Sequence, residues 1–201
     1  MRTITKEFKV YHYGELSEEA REKVKRWYLD DELRTDLFYE DLTSFLAENY
    51  KRSNLDVCFS LGYCQGDGLN IHGKINLYDF LEKWEADEKT KRTVEKYIDS
   101  SFNEYTFEKN NHYCYSCKFI DIKYINDMVT EFISDLKYNG IRGIKTDIIK
   151  AFFNDLFNHF ERLDEEWEKA GYKYLYEAEE WEIEDFCAAN DYEFLEDGTV
   201  F

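Results

Sequence analysis

The sequence predicts an α+β fold, with an antiparallel sheet of about five strands, helices packed on that sheet and a helical C-terminal half. Two pairs of short runs suited to β-hairpins indicate the sheet, and apolar residues at helical spacing indicate the helices. The chain has 201 residues, which is a usual length for one folded domain. We therefore expect a single domain over residues 1–201.

The N-terminal segment predicts one strand and two helices. Residues 3–12 alternate in polarity, as a strand does, and this strand would be the fifth of the sheet. Ser17 precedes the amphipathic run EEAREKVKRWYL, whose leading acids suit a helix N-terminus. A second helix is predicted over about residues 35–50, with Thr35 or Asp36 as its cap.

The clearest pattern in the chain is a β-hairpin. Residues 55–63 and 69–77 each alternate apolar and polar side chains, and Gln65-Gly66-Asp67-Gly68 between them is typical of a turn. Gly73 falls on the apolar face of the second run. A glycine there indicates a bulge or a close approach of another backbone.

The middle of the chain predicts a helix and then a second hairpin. Residues 78–100 have helical spacing, with a break near Asp87. Residues 102–109 and 112–119 are suited to two strands that turn at Asn110-Asn111. This hairpin would complete the five strands.

Three further helices are predicted over about residues 122–138, 144–169 and 174–189. Gly171 is expected to end the second of them. Asn190 is expected to end the third in the left-handed conformation.

The last residues predict a small terminal hairpin that turns at Asp197-Gly198. An acidic helical subregion covers about residues 144–190. Residues 161–201 hold 15 Asp and Glu against 3 Lys and Arg, so they carry −12 of the net charge of −18. Such a surface repels phosphates and attracts cations.

The composition indicates which kinds of partner and which cellular compartment to expect. We expect a basic protein as the partner, no direct nucleic acid and no membrane, and a homo-oligomer is compatible with the sequence. The chain has no apolar run of about 18 residues and no apolar signal-peptide region at its start. Its five Cys are an odd number, which favours reduced thiols in a cytoplasm.

Two motifs suggest ligands, and in each case we favour a structural role. The Gln65–Gly68 turn is glycine-rich like a phosphate loop, but it lies between two strands and no helix follows it. Cys114 and Cys117, beside His112, have the spacing of half a zinc site. Because no second pair of ligands is recognisable, we predict no metal and no cofactor.

Catalytic motifs such as GxSxG, HExxH and GxGxxG do not occur in the sequence. We therefore expect a protein that is not an enzyme.

The acidic segment supplies the candidate binding site. Its carboxylates either form the solvated face of two amphipathic helices or form an array that enters a basic nucleic-acid channel. The aromatic residues between them favour an interface, because Tyr and Trp anchor binding hot spots. The candidate partner-binding residues are Glu165, Glu166, Glu168, Glu179, Glu180 and Glu184, with Trp167 and Trp181 as anchors.

Three segments carry a resemblance to a known group of proteins. They are YGELSEEA at residues 13–20, FSLGYCQGDG at residues 59–68 and ANDYEFLEDG at residues 189–198. In these segments the chain resembles small acidic proteins encoded by bacteriophages and prophages, some of them labelled antitoxins. The resemblance implies a phage origin and transfers no catalytic residue.

These observations lead to one function and two alternatives. The first is a phage-encoded, non-enzymatic inhibitor that binds a host defence or nucleic-acid-handling protein in the bacterial cytoplasm. It would be of the anti-CRISPR or anti-restriction type and would act by acidic mimicry of nucleic acid. The alternatives are an antitoxin-like neutraliser of a basic toxin, and a nucleotide-binding module or small enzyme that uses the Gln65–Gly68 hairpin.

Overall fold

The predicted α+β class is confirmed in the computed structural model, which describes residues 2, 6–30, 32–107 and 122–201. Its helices, after a 3-10 turn at Tyr13–Glu15, are α1 Glu18–Leu29, α2 Glu32–Asn49, α3 Leu77–Lys83, α4 Glu88–Ile98, α5 Ile122–Tyr138, α6 Thr146–Tyr176 and α7 Glu180–Ala189. Its strands are β1 Asn54–Ser60, β2 Gly68–Asn76 and β3 Glu104–Phe107.

The sheet has three strands in the described part of the chain, where five were predicted. The order is β1-β2-β3, and both pairings are antiparallel. In the segment predicted as the N-terminal strand, residues 6–10 form no β-ladder, and Tyr11 makes a single bridge to Phe194. Alternating polarity alone is not sufficient for a strand, because the backbone also needs a neighbouring strand to hydrogen-bond with. The predicted strand at 112–119 lies outside the described residues.

The central hairpin is confirmed, although β1 ends at Ser60 and β2 at Asn76 instead of at 63 and 77, and Gly73 makes the expected close approach. Leu55 faces Gly73, and Val57 faces Ile71. Gly73 has a φ of 111°, and a Cβ atom there would lie 2.3 Å from the backbone oxygen of Asn54. Only glycine fits this place without displacing β1.

The starts of α1 and α4 were predicted correctly. Ser17 Oγ accepts a hydrogen bond from the backbone N–H of Ala20 at 3.2 Å, as an N-cap does. The break near Asp87 is confirmed, because Asp87 caps α4 by accepting from the N–H of Thr90 at 3.1 Å.

Helix α2 begins at Glu32, so neither Thr35 nor Asp36 is its cap. Arg34 gives the reason for the added turn. Its guanidinium lies 4.5 Å from the ring centre of Tyr28 and 4.6 Å from that of Tyr174. These cation–π contacts stabilise a helical turn that the capping residues alone did not predict.

The helices at the C-terminal end differ from the prediction in their bounds. Helix α6 continues through the buried Gly171 to Tyr176, because packing of Tyr174 on Phe38 holds the extra turn. Helix α7 therefore begins at Glu180, six residues after the predicted start at about residue 174. Asn190 has a φ of −108°, and it is Asp191 that takes the left-handed conformation.

The chain divides into two compact units. Unit 1 comprises Met1–Phe38 and Tyr172–Phe201, and unit 2 comprises Tyr39–Gly171. The single domain over residues 1–201 stays a prediction.

Unit 1 joins the two ends of the chain in one small core. Tyr11 and Phe194 exchange two backbone hydrogen bonds of 2.9 Å. The terminal hairpin is reduced to a single bridge between Phe194 and Val200. The buried residues of this core are Tyr13, Leu16, Ala20, Val24, Ala178, Ile183, Cys187 and Phe194.

Unit 2 is built around the aromatic face of α6. The fully buried phenylalanines of α6 are Phe152, Phe153, Phe157 and Phe160. They contact Phe80 of α3, Phe107 of β3 and Phe132 of α5 at centroid distances of 4.9–5.8 Å. One long helix thus supplies the packing surface for the sheet and for two other helices.

A buried carboxyl group also links α6 to the sheet. Asp164 is fully buried, and its Oδ1 accepts a hydrogen bond of 3.0 Å from the backbone N–H of Ile71. Its Oδ2 has no hydrogen-bond partner among the described residues. Burial raises the pKa of Asp164 to about 9, so the folded protein holds this group protonated at neutral pH.

Replacing Asp164 with Asn should stabilise the protein at pH 7 by about 2–4 kcal/mol. The pKa of Asp164 is higher in the folded protein than its unfolded value of 3.8. The contribution of this carboxyl group to the free energy of unfolding is therefore complete below pH 3.8 and is lost as the pH rises towards 9. The Asn variant has no such loss. Urea unfolding at pH 5 to 8 measures the difference, and an unchanged pH slope in D164N would contradict it.

Replacing Gly73 with Ala should lower the free energy of unfolding by about 2–3 kcal/mol, because the methyl group meets β1 backbone at a positive φ. Gly62 is the matched control, since a Cβ atom there meets only Cys64 Sγ at 3.9 Å. Gly62→Ala should change the stability by less than about 1 kcal/mol. Equal effects of the two substitutions in thermal and urea unfolding would refute the close-approach explanation.

Candidate functional site

Unit 2 contains a concave groove whose walls are both among the described residues. It is a cavity of about 670 Å³ between the end of α3 and one side of α6. A cavity of this volume is in the usual range for small-molecule sites. The α3 side supplies Phe80, Lys83, Trp84 and Glu85, and α6 supplies Asp155, Asn158, His159, Glu161, Arg162 and Glu165.

Aromatic side chains form the rigid base of the groove. Phe80 and Trp84 are buried, and the Trp84 ring packs edge-on against Phe152 at 5.2 Å. The indole Nε1 of Trp84 donates a hydrogen bond of 2.8 Å to Asp155 Oδ2. Asp155 therefore positions the tryptophan.

His159 lies half-buried in the groove and is fixed by Tyr50. The Tyr50 hydroxyl and His159 Nε2 are 2.6 Å apart, and the Phe80 ring lies 5.6 Å from the imidazole. Burial lowers the pKa of His159, and the positive charges of Arg162 and Lys83 lower it further. These effects favour the neutral form of the imidazole.

The two cations of the groove are held by neutral groups. Lys83 Nζ donates to Asn49 Oδ1 at 3.3 Å and lies 5.1 Å from the ring centre of Tyr50. Arg162 Nε donates to the backbone oxygen of Asn158 at 3.2 Å. Neither side chain makes an ion pair within the ranges that the structure describes.

Glu161 and Glu165 lie on the other flank of α6. Burial raises the pKa of Glu161, and the negative charge of Glu165 raises it further. None of the lining residues is Ser, Thr or Cys, so the groove offers no hydroxyl or thiol nucleophile. Its side chains are suited to binding a charged ligand.

The structure places the eight sequence-predicted site residues in two different units. Glu165, Glu166 and Glu168 lie on the part of α6 in unit 2, where Glu165 lines the groove. Trp167 is half-buried and packs edge-on against Phe45 at 5.3 Å. Trp167 therefore serves the packing of unit 2.

The other four predicted residues lie in unit 1. Glu179 precedes α7, and its N–H donates to Glu182 Oε2 at 2.8 Å. Glu180, Trp181 and Glu184 are on α7 and are exposed. Trp181 keeps 63% of its surface accessible, which is unusual for this residue.

Sequence reasoning missed the groove itself. Of its lining residues only Glu165 was selected from the sequence, and His159, Lys83 and Arg162 were not. The polar residues Asp155, His159 and Arg162 recur at spacings of four and three along α6, beside its phenylalanine face. This spacing could have indicated a polar stripe, but the lining from α3 depends on the tertiary fold.

The Gln65–Gly68 turn is held by hydrogen bonds from nearby residues to the side chain of Asp67. Asp67 accepts hydrogen bonds from the Cys64 N–H at 2.9 Å and from Ser60 Oγ at 3.0 Å. Gly66 has a φ of 101°, as a tight turn requires. The carboxylate of Asp67 thus takes donors that a phosphate would need, which supports a structural turn.

The cysteines give no metal site in the described part of the chain. Cys64 and Cys187 are free thiols. No group of three or more His, Cys, Asp or Glu among the described residues is placed to hold a metal ion. His112, Cys114 and Cys117, the half zinc site considered above, lie outside the described residues.

Comparisons with protein-family models, with curated proteins and with solved structures find no match to this chain. The resemblance to phage proteins therefore stays a prediction. No described helix has both the length and the apolar character that crossing a bilayer requires.

The pKa of His159 reports the electrostatic effect of the two groove cations, Arg162 and Lys83. Arg162→Gln should raise the pKa of His159 towards its ordinary value, because one nearby positive charge is removed. Lys150→Gln is the control, since Lys150 is on the same helix but is not among the charges that shift the imidazole. NMR titration of the imidazole resonances tests this, and equal pKa values in wild type and R162Q would contradict it.

Proposed function

We propose that this protein is a non-enzymatic inhibitor that binds a basic protein through the exposed face of α7. The observation that carries the proposal is Trp181, which is exposed on the same short helix as Glu180 and Glu184. An exposed tryptophan among carboxylates is suited to an interface in which an aromatic anchor is surrounded by charge pairs.

The spacing on α7 places these side chains together. Residues three and four apart are neighbours on a helix surface, so Glu184 lies beside both Glu180 and Trp181. The face that carries Ile183 and Cys187 is buried, because both residues belong to the core of unit 1. The helix is thus anchored by its apolar side and presents its acidic side to solvent.

The cations within unit 1 leave most of this negative charge available. Arg21 lies 3.5 Å from Glu180, and the Glu180 side chain is 69% exposed. An ion pair as exposed as this one contributes little stability, about 0–1 kcal/mol. A partner with several Lys or Arg could replace Arg21 at small cost.

The identity of the partner is proposed from the charge and from the sequence resemblance. A surface this acidic is complementary to the basic grooves that bind nucleic acid. A phage origin would make a host defence or nucleic-acid-handling protein the target, and the host cytoplasm the place of action. The carboxylates of α7 would then occupy positions that phosphates normally take.

Reversing two charges on α7 tests the proposal. Glu180→Lys together with Glu184→Lys should weaken partner binding at least about tenfold and flatten its salt dependence. Trp181→Ala should also weaken binding while the salt dependence is kept, because it removes an apolar anchor and no charge. The measurement is a pull-down from bacterial lysate, followed by a salt titration of the purified complex.

The matched control is Asp127→Lys together with Glu131→Lys. These two acids are exposed on α5, are also four residues apart and give the same change in net charge. Binding should survive this pair of substitutions. If both double variants bind equally well, or both lose binding, α7 is not the specific docking face.

A further inference from the structure

The groove of unit 2 contains charges of both signs that do not neutralise one another. Lys83 and Arg162 supply the positive charges, and the negative ones come from Glu85, Asp155, Glu161 and Glu165. None of these six side chains takes part in an ion pair within the described ranges. Opposite charges that line one cavity without pairing leave both available to a ligand.

The charges are also separated along the groove wall. Successive residues of an α-helix are turned by about 100°, so the side chains of α6 follow one another around the helix in a fixed order. That order is His159, Asp155, Arg162, Glu165 and then Glu161. The Asp155 carboxylate already accepts the indole N–H of Trp84, so the groove has a positive end at Arg162 and a negative end formed by two glutamates four residues apart.

Lys83 strengthens the positive end from the other wall. It belongs to α3, and its ammonium lies over the Tyr50 ring whose hydroxyl contacts His159. The side chains of Phe80 and Trp84 supply an apolar surface beside it. Positive, apolar and negative elements thus line a single cavity.

We propose that this groove binds a small zwitterion of the amino-acid class, either a free amino acid or a dipeptide. Its carboxylate would face Arg162 and Lys83, and its ammonium group would face Glu161 and Glu165. An apolar side chain would lie against Trp84. This inference is independent of the docking function of α7, since the groove and α7 belong to different units.

Ligands with only one charge fit the groove less well. A simple carboxylate would meet Arg162 but would also lie near four acidic side chains, and a simple amine would meet the glutamates but also two cations. Each leaves one set of groove charges unmatched. A zwitterion is complementary to both sets at once, and a cavity of about 670 Å³ has room for it and its side chain.

The test uses NMR spectra of the full chain labelled with ¹⁵N and ¹³C. A panel of L-amino acids and dipeptides is titrated, with phenylalanine as the first probe. Phenylpropionate lacks the ammonium group and phenethylamine lacks the carboxylate, so each removes one charge from this probe. We expect saturable shifts along α6 between Asp155 and Glu165, with at least about tenfold weaker binding of both single-charge analogues than of the zwitterion.

The groove variants locate the site. Arg162→Gln and Glu165→Gln should each weaken zwitterion binding at least about tenfold, and both positions are exposed, so the fold is kept. Lys150→Gln and Glu131→Gln are matched controls outside the groove and should bind as the wild type does. The pKa of His159 should rise when the ligand's carboxylate is bound nearby.

Three results would overturn the proposal. They are the absence of saturable shifts with every member of the panel, equal affinity for a single-charge analogue, and full binding by both groove variants. The first result would leave the groove charges as solvated side chains. None of the three bears on the binding of a partner by α7, so the two proposals succeed or fail separately.

Discussion

The aromatic face of α6 is the constraint on which unit 2 depends. Phe152, Phe153, Phe157 and Phe160 are fully buried on one side of this helix, and α3, α5 and β3 all pack against them. Burying a side chain of this size contributes about 1.5–3 kcal/mol. Because the helix is fixed by this side, every side chain on its remaining surface has a defined position, including those that line the groove.

The polar contacts of unit 2 follow from that packing. Tyr50 meets His159, and Trp84 meets Asp155, at places where the aromatic core ends and the groove begins. Asp164 is different, because it lies inside the core and has a backbone N–H of β2 as its partner. Its hydrogen bond joins α6 to the sheet, and desolvation keeps the carboxyl group protonated.

Unit 1 is built differently, because its core joins segments from the two ends of the chain. Phe194 pairs with Tyr11 through the backbone and packs against Trp27 through its ring. Helix α7 is held by this small core, and its outer face carries Trp181 among glutamates. The two proposed binding activities thus use surfaces with different chemistry, one acidic with an aromatic anchor and one of mixed charge.

The sequence by itself determined the elements whose signals are local. Alternating polarity around Gln65–Gly68 was sufficient for the central hairpin, and Ser17 and Asp87 marked two helix starts, because turns and caps depend on neighbouring residues. Only the tertiary structure decided where α6 ends, since packing around Tyr174 overrides Gly171. It also decided that the acidic residues belong to two units and that His159 lies in a groove. Those outcomes depend on contacts between residues far apart in the chain, which no local pattern records.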